Sequence, residues 1–360
     1  MKNNIYYLLM LSLLFSYCKK QETKLIFLDE YIVKDSLEIN SSIIGGLSGI
    51  DYANEHYYFV VDDAKNPRFL KAKINLEKNK IRSVDFKKVT PLNDSTITFF
   101  KENAMDLESI FIDEETAEIN LVSEGSINKG KKPTIFSIDE NGKLIDIYEL
   151  PKSFNDISNI KHNAVFEGSS KSINNKGFWI SMEGPLKIDG KEPTFTKTSS
   201  PIRVTYFDKK SKKATKQFAY QLEHITRPSK GNVNLNGVTS ILEYKDQHFF
   251  IIERIYQSGY GVHGNIVNIF EASINKKTTD ILNIESLKET EFIPLKKRLV
   301  FSFESIKDKL TEGIVDNIEG ITFGPKLENG NQSLLLVSDD NFQIYGKQLN
   351  QFILLEIENK

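Results

Sequence analysis

Carboxylates recur along this chain at matched places. Asp62, Asp63, Glu108, Glu124, Glu167, Glu183, Glu253, Glu319, Asp339 and Asp340 each stand at the opening or the close of a short hydrophobic run. Hard oxygen donors at this density suit calcium or magnesium, which prefer carboxylate and amide oxygens to nitrogen or sulfur. Asn103, Asn163, Asn236, Asn317 and Asn341 stand beside the acids and could add neutral oxygens. Arg68 and Arg254 closely follow acids, and an arginine beside a cation clamps a phosphate oxygen bidentately; Lys65 and Lys161 are weaker candidates. His162 and His263 could act as acid or base. The residues expected to do chemistry are therefore Glu108, Glu167, Glu319 and His162 as catalytic groups, with Arg68 and Arg254 as substrate contacts. Asp62, Asp63, Glu124, Glu183, Asp339 and Asp340 are expected to hold a divalent cation, calcium first and magnesium as the alternative.

The acids are positioned by a repeat. In each copy a short strand opens near an acidic or small polar residue, turns, and continues into a very hydrophobic strand that closes on Asp or Glu. The copies are Gly46–Tyr52 into Tyr57–Asp63, Asp106–Ile110 into Ile119–Glu124, Val165–Gly168 into Gly177–Glu183, Gly237–Ile241 into His248–Glu253, and Asn317–Ile321 into Ser333–Asp340. Such spacing suits four-stranded propeller blades joined by long loops. Two antiparallel strands place the start of the first and the end of the second at one end of the sheet. The acids are thus expected to converge at one channel mouth, while His56 and His248, in hairpin turns, fall at the other. Their mutual repulsion requires compensation by cations or basic side chains. The bland alternative for any one acid is a structural acceptor for a neighbouring loop.

The expected architecture is an all-β propeller of six blades, with five or seven as alternatives, in which Leu25–Val33 and Gln351–Glu358 together close one blade. A short helix is expected over Glu304–Leu310 with Ser302 as its cap, and Lys187–Ser200 as an inserted loop. Trp179 belongs in the core. Gly49, Gly168, Gly184 and Gly320 are expected as backbone devices for close approach.

With 360 residues and a formal net charge of -2, the chain lacks the basic excess of a nucleic-acid binder. It contains no G-x-S-x-G elbow, no P-loop, no Rossmann fingerprint and no zinc-spaced histidine pair. Met1–Lys2 and the apolar run Ile5–Phe15 resemble a secretory signal, too short to span a bilayer, ending at the lone cysteine Cys18. A cysteine there resembles a bacterial lipoprotein signal, although Tyr17 replaces the usual small residue. Residues 1–17 are thus expected to be removed, Cys18 lipidated, 18–24 a tether and 25–360 one domain. A lipidated Cys18 leaves no thiol for a disulfide or a cysteine nucleophile. The expected location is extracytoplasmic, anchored to the cell envelope by lipid alone. The chain is expected to be a monomer acting on a small-molecule or phosphorylated substrate, with no nucleic-acid partner.

These motifs resemble the phytase-like domain family, also called esterase-like activity of phytase. The similarity rests on Gly46-Leu47-Ser48-Gly49-Ile50 with Val61-Asp62-Asp63, on Asp106-Leu107-Glu108-Ser109-Ile110 with Ser123-Glu124-Gly125, and on Phe166-Glu167-Gly168 with Ser181-Met182-Glu183-Gly184. Its most specific part is Asn317-Ile318-Glu319-Gly320-Ile321 with Val337-Ser338-Asp339-Asp340-Asn341-Phe342. Ser109 stands where the family usually has Gly, and Val238-Thr239 replaces the Glu-Gly pattern in the fourth copy, which argues against a symmetric ring of ligands. The resemblance implies a propeller, an extracytoplasmic and often lipid-anchored protein, and loosely an ester or phosphoester hydrolase. The leading expectation is a cation-dependent phosphoester hydrolase in which activated water attacks. A lactonase or carboxylesterase and a non-catalytic ligand platform are the alternatives.

Overall fold

The second strand of each copy is a nearly unbroken apolar run because both of its faces are covered. Tyr57–Val61, Ile119–Ser123 and Gly177–Met182 are buried throughout, as expected for strands packed between sheets rather than against solvent. Outer strands instead alternate: Arg68–Glu77 and Lys80–Pro91 place lysines and other polar residues outward at every second position or nearly so. Two-residue turns join them. Asn54 (φ 49°) and Glu55 (φ 61°), and likewise Lys78 (φ 51°) and Asn79 (φ 60°), take the left-handed conformation that lets a tight hairpin match strand twist.

A computed structural model describes residues 22–92 and 97–359. The expected signal segment 1–17, Cys18 and most of the expected tether lie outside the described residues. Among the described residues the strands form five four-stranded antiparallel sheets and one small two-stranded hairpin, Glu38–Ile39 with Ser42–Ile43. The first blade comprises Leu47–Ala53, His56–Val61, Arg68–Glu77 and Lys80–Pro91; the second Leu107–Ile112, Ile119–Ser123, Thr134–Ile138 and Leu144–Ile147. The third comprises Phe166–Lys171, Gly177–Met182, Pro201–Asp208 and Lys213–Gln221; the fourth Asn234–Lys245, His248–Gln257, Asn265–Ser273 and Lys296–Ser302. In the fifth, Asn317–Lys326, Gln332–Asp339 and Asn350–Asn359 are completed by Thr23–Val33 from the other end of the chain.

The six-blade expectation is therefore corrected to five. The terminal strands do pair, from Thr23 opposite Asn359 to Val33 opposite Asn350, but they are the third and fourth strands of the last repeat and not an extra blade. The expected helix near Glu304–Leu310 is replaced by single 3-10 turns, Phe303–Ser305 and Lys307–Lys309, and Ser302 makes no side-chain cap. Lys187–Ser200 contains no strand or helix, although Asp189 within it is fully buried on Arg203 at 2.7 Å.

Apolar clusters fill the space between neighbouring blades. Phe111 packs on Phe178 (4.6 Å between centroids), Phe178 stacks on Phe207 (5.4 Å), and Trp179, in the core as expected, meets Phe249 (5.0 Å). Phe59 meets Phe352 where the first and fifth blades join (5.8 Å). Each such fully buried ring contributes about 1.5–3 kcal/mol. First strands of successive blades touch around the ring, so their residues face the channel.

Candidate functional site: an acid-lined channel mouth with one arginine position

All five first strands bulge at the same place. Pairing skips a residue between Leu47 and Gly49, Leu107 and Ser109, Phe166 and Gly168, Val238 and Ser240, and Ile318 and Gly320. The unpaired residues are Ser48, Glu108, Glu167, Thr239 and Glu319. A bulge frees one side chain from strand alternation and re-aims it. The small residue that follows permits close approach between blades: a Cβ on Gly49 would lie 2.8 Å from Ser109 Cα, and one on Gly168 would lie 2.7 Å from Ser240 Cα. Ser109, where the family pattern favours Gly, hydrogen-bonds the Ser169 hydroxyl (2.6 Å) and accepts from its backbone N–H (2.9 Å).

The five bulged side chains divide by chemistry. Ser48 Oγ donates to the Leu107 carbonyl of the second blade (2.7 Å), and Thr239 Oγ1 to the Ile318 carbonyl of the fifth (2.8 Å). These hydroxyls lock the next blade at the residue before its own bulge. Glu108, Glu167 and Glu319 instead face one another closely enough to affect each other's ionisation.

A second set of equivalent positions lies one residue beyond the partner of each bulge. Asp62, Glu124 and Glu183 donate their backbone N–H to the carbonyls of Gly46, Asp106 and Val165, while Arg254 pairs with Gly237 and Asp339 with Asn317 in the ladders. The fourth blade therefore carries a cation where the other four carry carboxylates. Arg254 Nη1 lies 2.9 Å from Glu319 Oε1 and Nη2 lies 3.5 Å from Glu183 Oε1. Asn317 Nδ2 also donates to Glu319 Oε1 (2.7 Å).

Electrostatics follow from this packing. Burial and then the negative charges of Asp339 and Asp106 push Asp62 up to about 8. Burial, with Asp106, Glu183 and Asp62, pushes Glu124 up to about 9. Glu183 and Glu319 are also raised by burial but reach only about 7, because Arg254 opposes the rise. Burial and neighbouring carboxylates hold Glu108, Glu167 and Asp339 well above the usual carboxylate range. Burial disfavours the Arg254 charge, but Glu319, Glu183 and Glu167 outweigh it and raise its pKa. Positive charge is thus favoured throughout the mouth.

Asp62, Asp106 and Glu108 approach most closely: one oxygen from each lies within 4.8 Å of the others. Glu124 Oε2, beside them electrostatically, is buried without a hydrogen-bond partner. An all-oxygen donor set with a free buried oxygen nearby fits a hard divalent cation, so this cluster could hold a metal ion.

Of the expected site residues, Asp62, Glu108, Glu124, Glu167, Glu183, Glu319, Asp339 and Arg254 come together. The rest are placed otherwise. Asp63 caps its own turn through Asn66 and pairs with Arg68 (2.9 Å), which lower its pKa against burial. Arg68 is buried, bonding the Asn66 and Ile43 carbonyls and lying 5.6 Å from the Phe342 ring centroid; it is a clamp between loops. Asp340 accepts from Gly46 N (2.8 Å) and Asn350 Nδ2 (2.9 Å). Glu253, one residue short of the mouth position, is enclosed by Tyr220, Asn236 and Lys297. His162 is exposed beside Lys161, whose Nζ pairs with Glu192 (3.2 Å). His263 sits in a 3-10 turn with a buried, unpartnered Nδ1. Among the asparagines, Asn103 bonds the Phe99 carbonyl, Asn341 N bonds Asp339 and Asn163 is exposed; Lys65 meets Asp63 through its backbone N–H. Asp106 is the member that motif reading passed over. Its signal is the alternation Asp106-Leu107-Glu108 around a buried leucine.

Fold and mouth together define a five-bladed propeller with a carboxylate-rich, cation-compatible channel opening. The chain belongs to the phytase-like family, described as esterase-like activity of phytase, whose model matches residues 42–342; that description names a hydrolase-type activity. No curated protein matches the sequence. Among solved structures, the exo-β-1,3-galactanase of Phanerochaete chrysosporium is similar at TM-score 0.48 and 9% identity, over 93% of this chain and 64% of that one. The Malassezia sympodialis allergen Mala s 1 is similar at 0.42 and 12%, over 91% and 83%. The Dos1 propeller is similar at 0.35 and 8%, over 87% and 68%.

Proposed function

We propose that the protein is a calcium-dependent phosphoester hydrolase acting at this channel mouth. The observation that carries the reading is the convergence of Asp62, Asp106 and Glu108 oxygens within 4.8 Å of one another, in a mouth that also presents Arg254. Asp62, Asp106 and Glu108 would hold the cation, with Glu124 alongside. When bound, the cation supplies Lewis-acid stabilisation and makes water more acidic. Arg254, steadied by Glu319 and Glu183, orients a phosphoryl oxygen and offsets charge that grows in the transition state. Glu167, whose pKa burial and then neighbouring carboxylates hold well above the usual carboxylate range, donates a proton to the departing oxygen.

The test is hydrolysis of 4-nitrophenyl phosphate, bis(4-nitrophenyl) phosphate and 4-nitrophenyl acetate, with calcium and with chelator. Chelator-sensitive cleavage of a phosphate substrate, reduced at least about 100-fold in Arg254→Leu, is the expected result. Cleavage of the acetate alone would assign carboxyl-ester chemistry, and no cleavage of any substrate would leave a ligand platform.

The location follows the same reading. We infer that Cys18 carries lipid and holds the propeller outside the cytoplasm as a monomer. Metabolic labelling with a fatty acid, lost in Cys18→Ala, is the expected outcome; labelling that persists or never occurs would reject the anchor.

A further inference from the structure

The mouth is poorly matched to a highly phosphorylated substrate. Asp62, Glu108, Glu124, Glu167 and Asp339 crowd the opening, and Arg254 is already shared by Glu183 and Glu319. A polyanion entering here finds a single arginine, already engaged by two carboxylates, to neutralise its many charges.

Immediately beside Arg254 the surface opens into a cleft of about 660 Å³ between the fourth and fifth blades. That volume lies within the range of small-molecule sites. Arg254 and Asn317 line it, so it is continuous with the carboxylate mouth. Polar residues, among them Asp316, Asn341 and Lys347, complete part of its wall, but one side is apolar and accessible: Val233 just before and Leu235 on the first strand of the fourth blade, Tyr256 on the second, Val262 in the following turn and Tyr345 across from them. Leu235 is 46% exposed and Tyr345 79%. Apolar side chains this exposed, gathered around a cleft with a charged group at one side, mark a ligand surface more than a gap in packing.

We propose that the substrate is an amphiphilic monoanion: a phosphodiester whose single charge meets Arg254 and whose aryl or alkyl group occupies this cleft. The inference rests on the proposed catalytic reading for its orientation, but its test is binding alone.

Dibenzyl phosphate, dimethyl phosphate and inositol hexakisphosphate are titrated calorimetrically into the full domain in the presence of calcium. Dibenzyl phosphate is expected to bind at least tenfold tighter than dimethyl phosphate, and inositol hexakisphosphate more weakly than dibenzyl phosphate. Leu235→Ser and, separately, Tyr345→Ser, both at exposed positions and checked by circular dichroism, should each cost dibenzyl phosphate at least threefold in affinity. They should leave dimethyl phosphate and calcium binding unchanged. Equal affinity for the two diesters, tighter binding of the hexakisphosphate, or indifference to both substitutions would overturn the proposal. If dibenzyl phosphate binds as expected and no diester is hydrolysed, the cleft stands and the catalytic reading falls.

Discussion

Arg254 Nη1 lies 2.9 Å from Glu319 Oε1, joining a cation within the fourth blade's second strand to a glutamate bulged out of the fifth blade's first. Both residues are largely buried, and Asn317 holds the same glutamate oxygen. Removing the arginine leaves Glu319 and Glu183 facing each other without compensation. Arg254→Leu should therefore destabilise the cation-free protein by about 3 kcal/mol at pH 8, and by less at pH 5, where those acids take up protons. Equal losses at both pH values, measured by urea unfolding, would mean that only packing was lost.

The raised carboxyls give stability a pH dependence of definite sign. Asp62 (about 8), Glu124 (about 9), Glu183 and Glu319 (about 7) bind protons in the folded state over a range where the unfolded chain has released them. The folded state thus loses stability as pH rises from about 5 to about 9. The melting temperature of chelator-treated protein should fall by at least about 5 °C across that window, and calcium should restore it more at pH 8 than at pH 5 because cation and proton compete. A flat or rising profile without calcium would contradict the electrostatics of the mouth.

The hydroxyl bulges should behave differently from the glutamate bulges. Ser48→Ala and Thr239→Ala each remove a buried bond to the next blade and should cost about 1 kcal/mol in stability. Calcium binding should be untouched. Glu108→Gln should do the reverse, weakening calcium binding at least tenfold while leaving the cation-free fold as stable or more so, since a buried carboxyl crowded by other carboxyls becomes a neutral amide. Thermal melts with and without calcium distinguish the two classes.

Close approach at the bulges predicts a third behaviour. A side chain at Gly168 would meet Ile241 N and Ser240 Cα at 2.7 Å, both backbone atoms. Gly168→Val should therefore fail to give folded protein, whereas Gly184→Ala, whose Cβ would meet only Ala164 at 3.2 Å or beyond, should be tolerated. Circular dichroism and size-exclusion profiles of the two variants check this.

The repeat, the propeller and the shared mouth were legible because hydrophobic strand pairs ending on acids impose a period and a polarity. Blade number was not, because Gln351–Glu358 looked like a separate unit. Only the pairing of Asn350–Asn359 with Gln332–Asp339 shows that it continues the last repeat. The bulges were equally hidden. Glu253 reads as the fourth blade's mouth acid because the other second strands close on acids, but the ladder puts Arg254 one residue past the partner of the bulge, in that position. Asp339, at the mouth, ends its strand, and Asp340 beyond it ties down Gly46 and Asn350 instead.

The most direct test of the account is calcium titration at pH 8 of the wild type against Asp106→Asn and Glu108→Gln. One ion per chain is predicted for the wild type, with affinity at least tenfold weaker in either variant while circular dichroism is unchanged. Absence of binding in the wild type, or equal binding in all three proteins, would contradict a cation held by Asp62, Asp106 and Glu108.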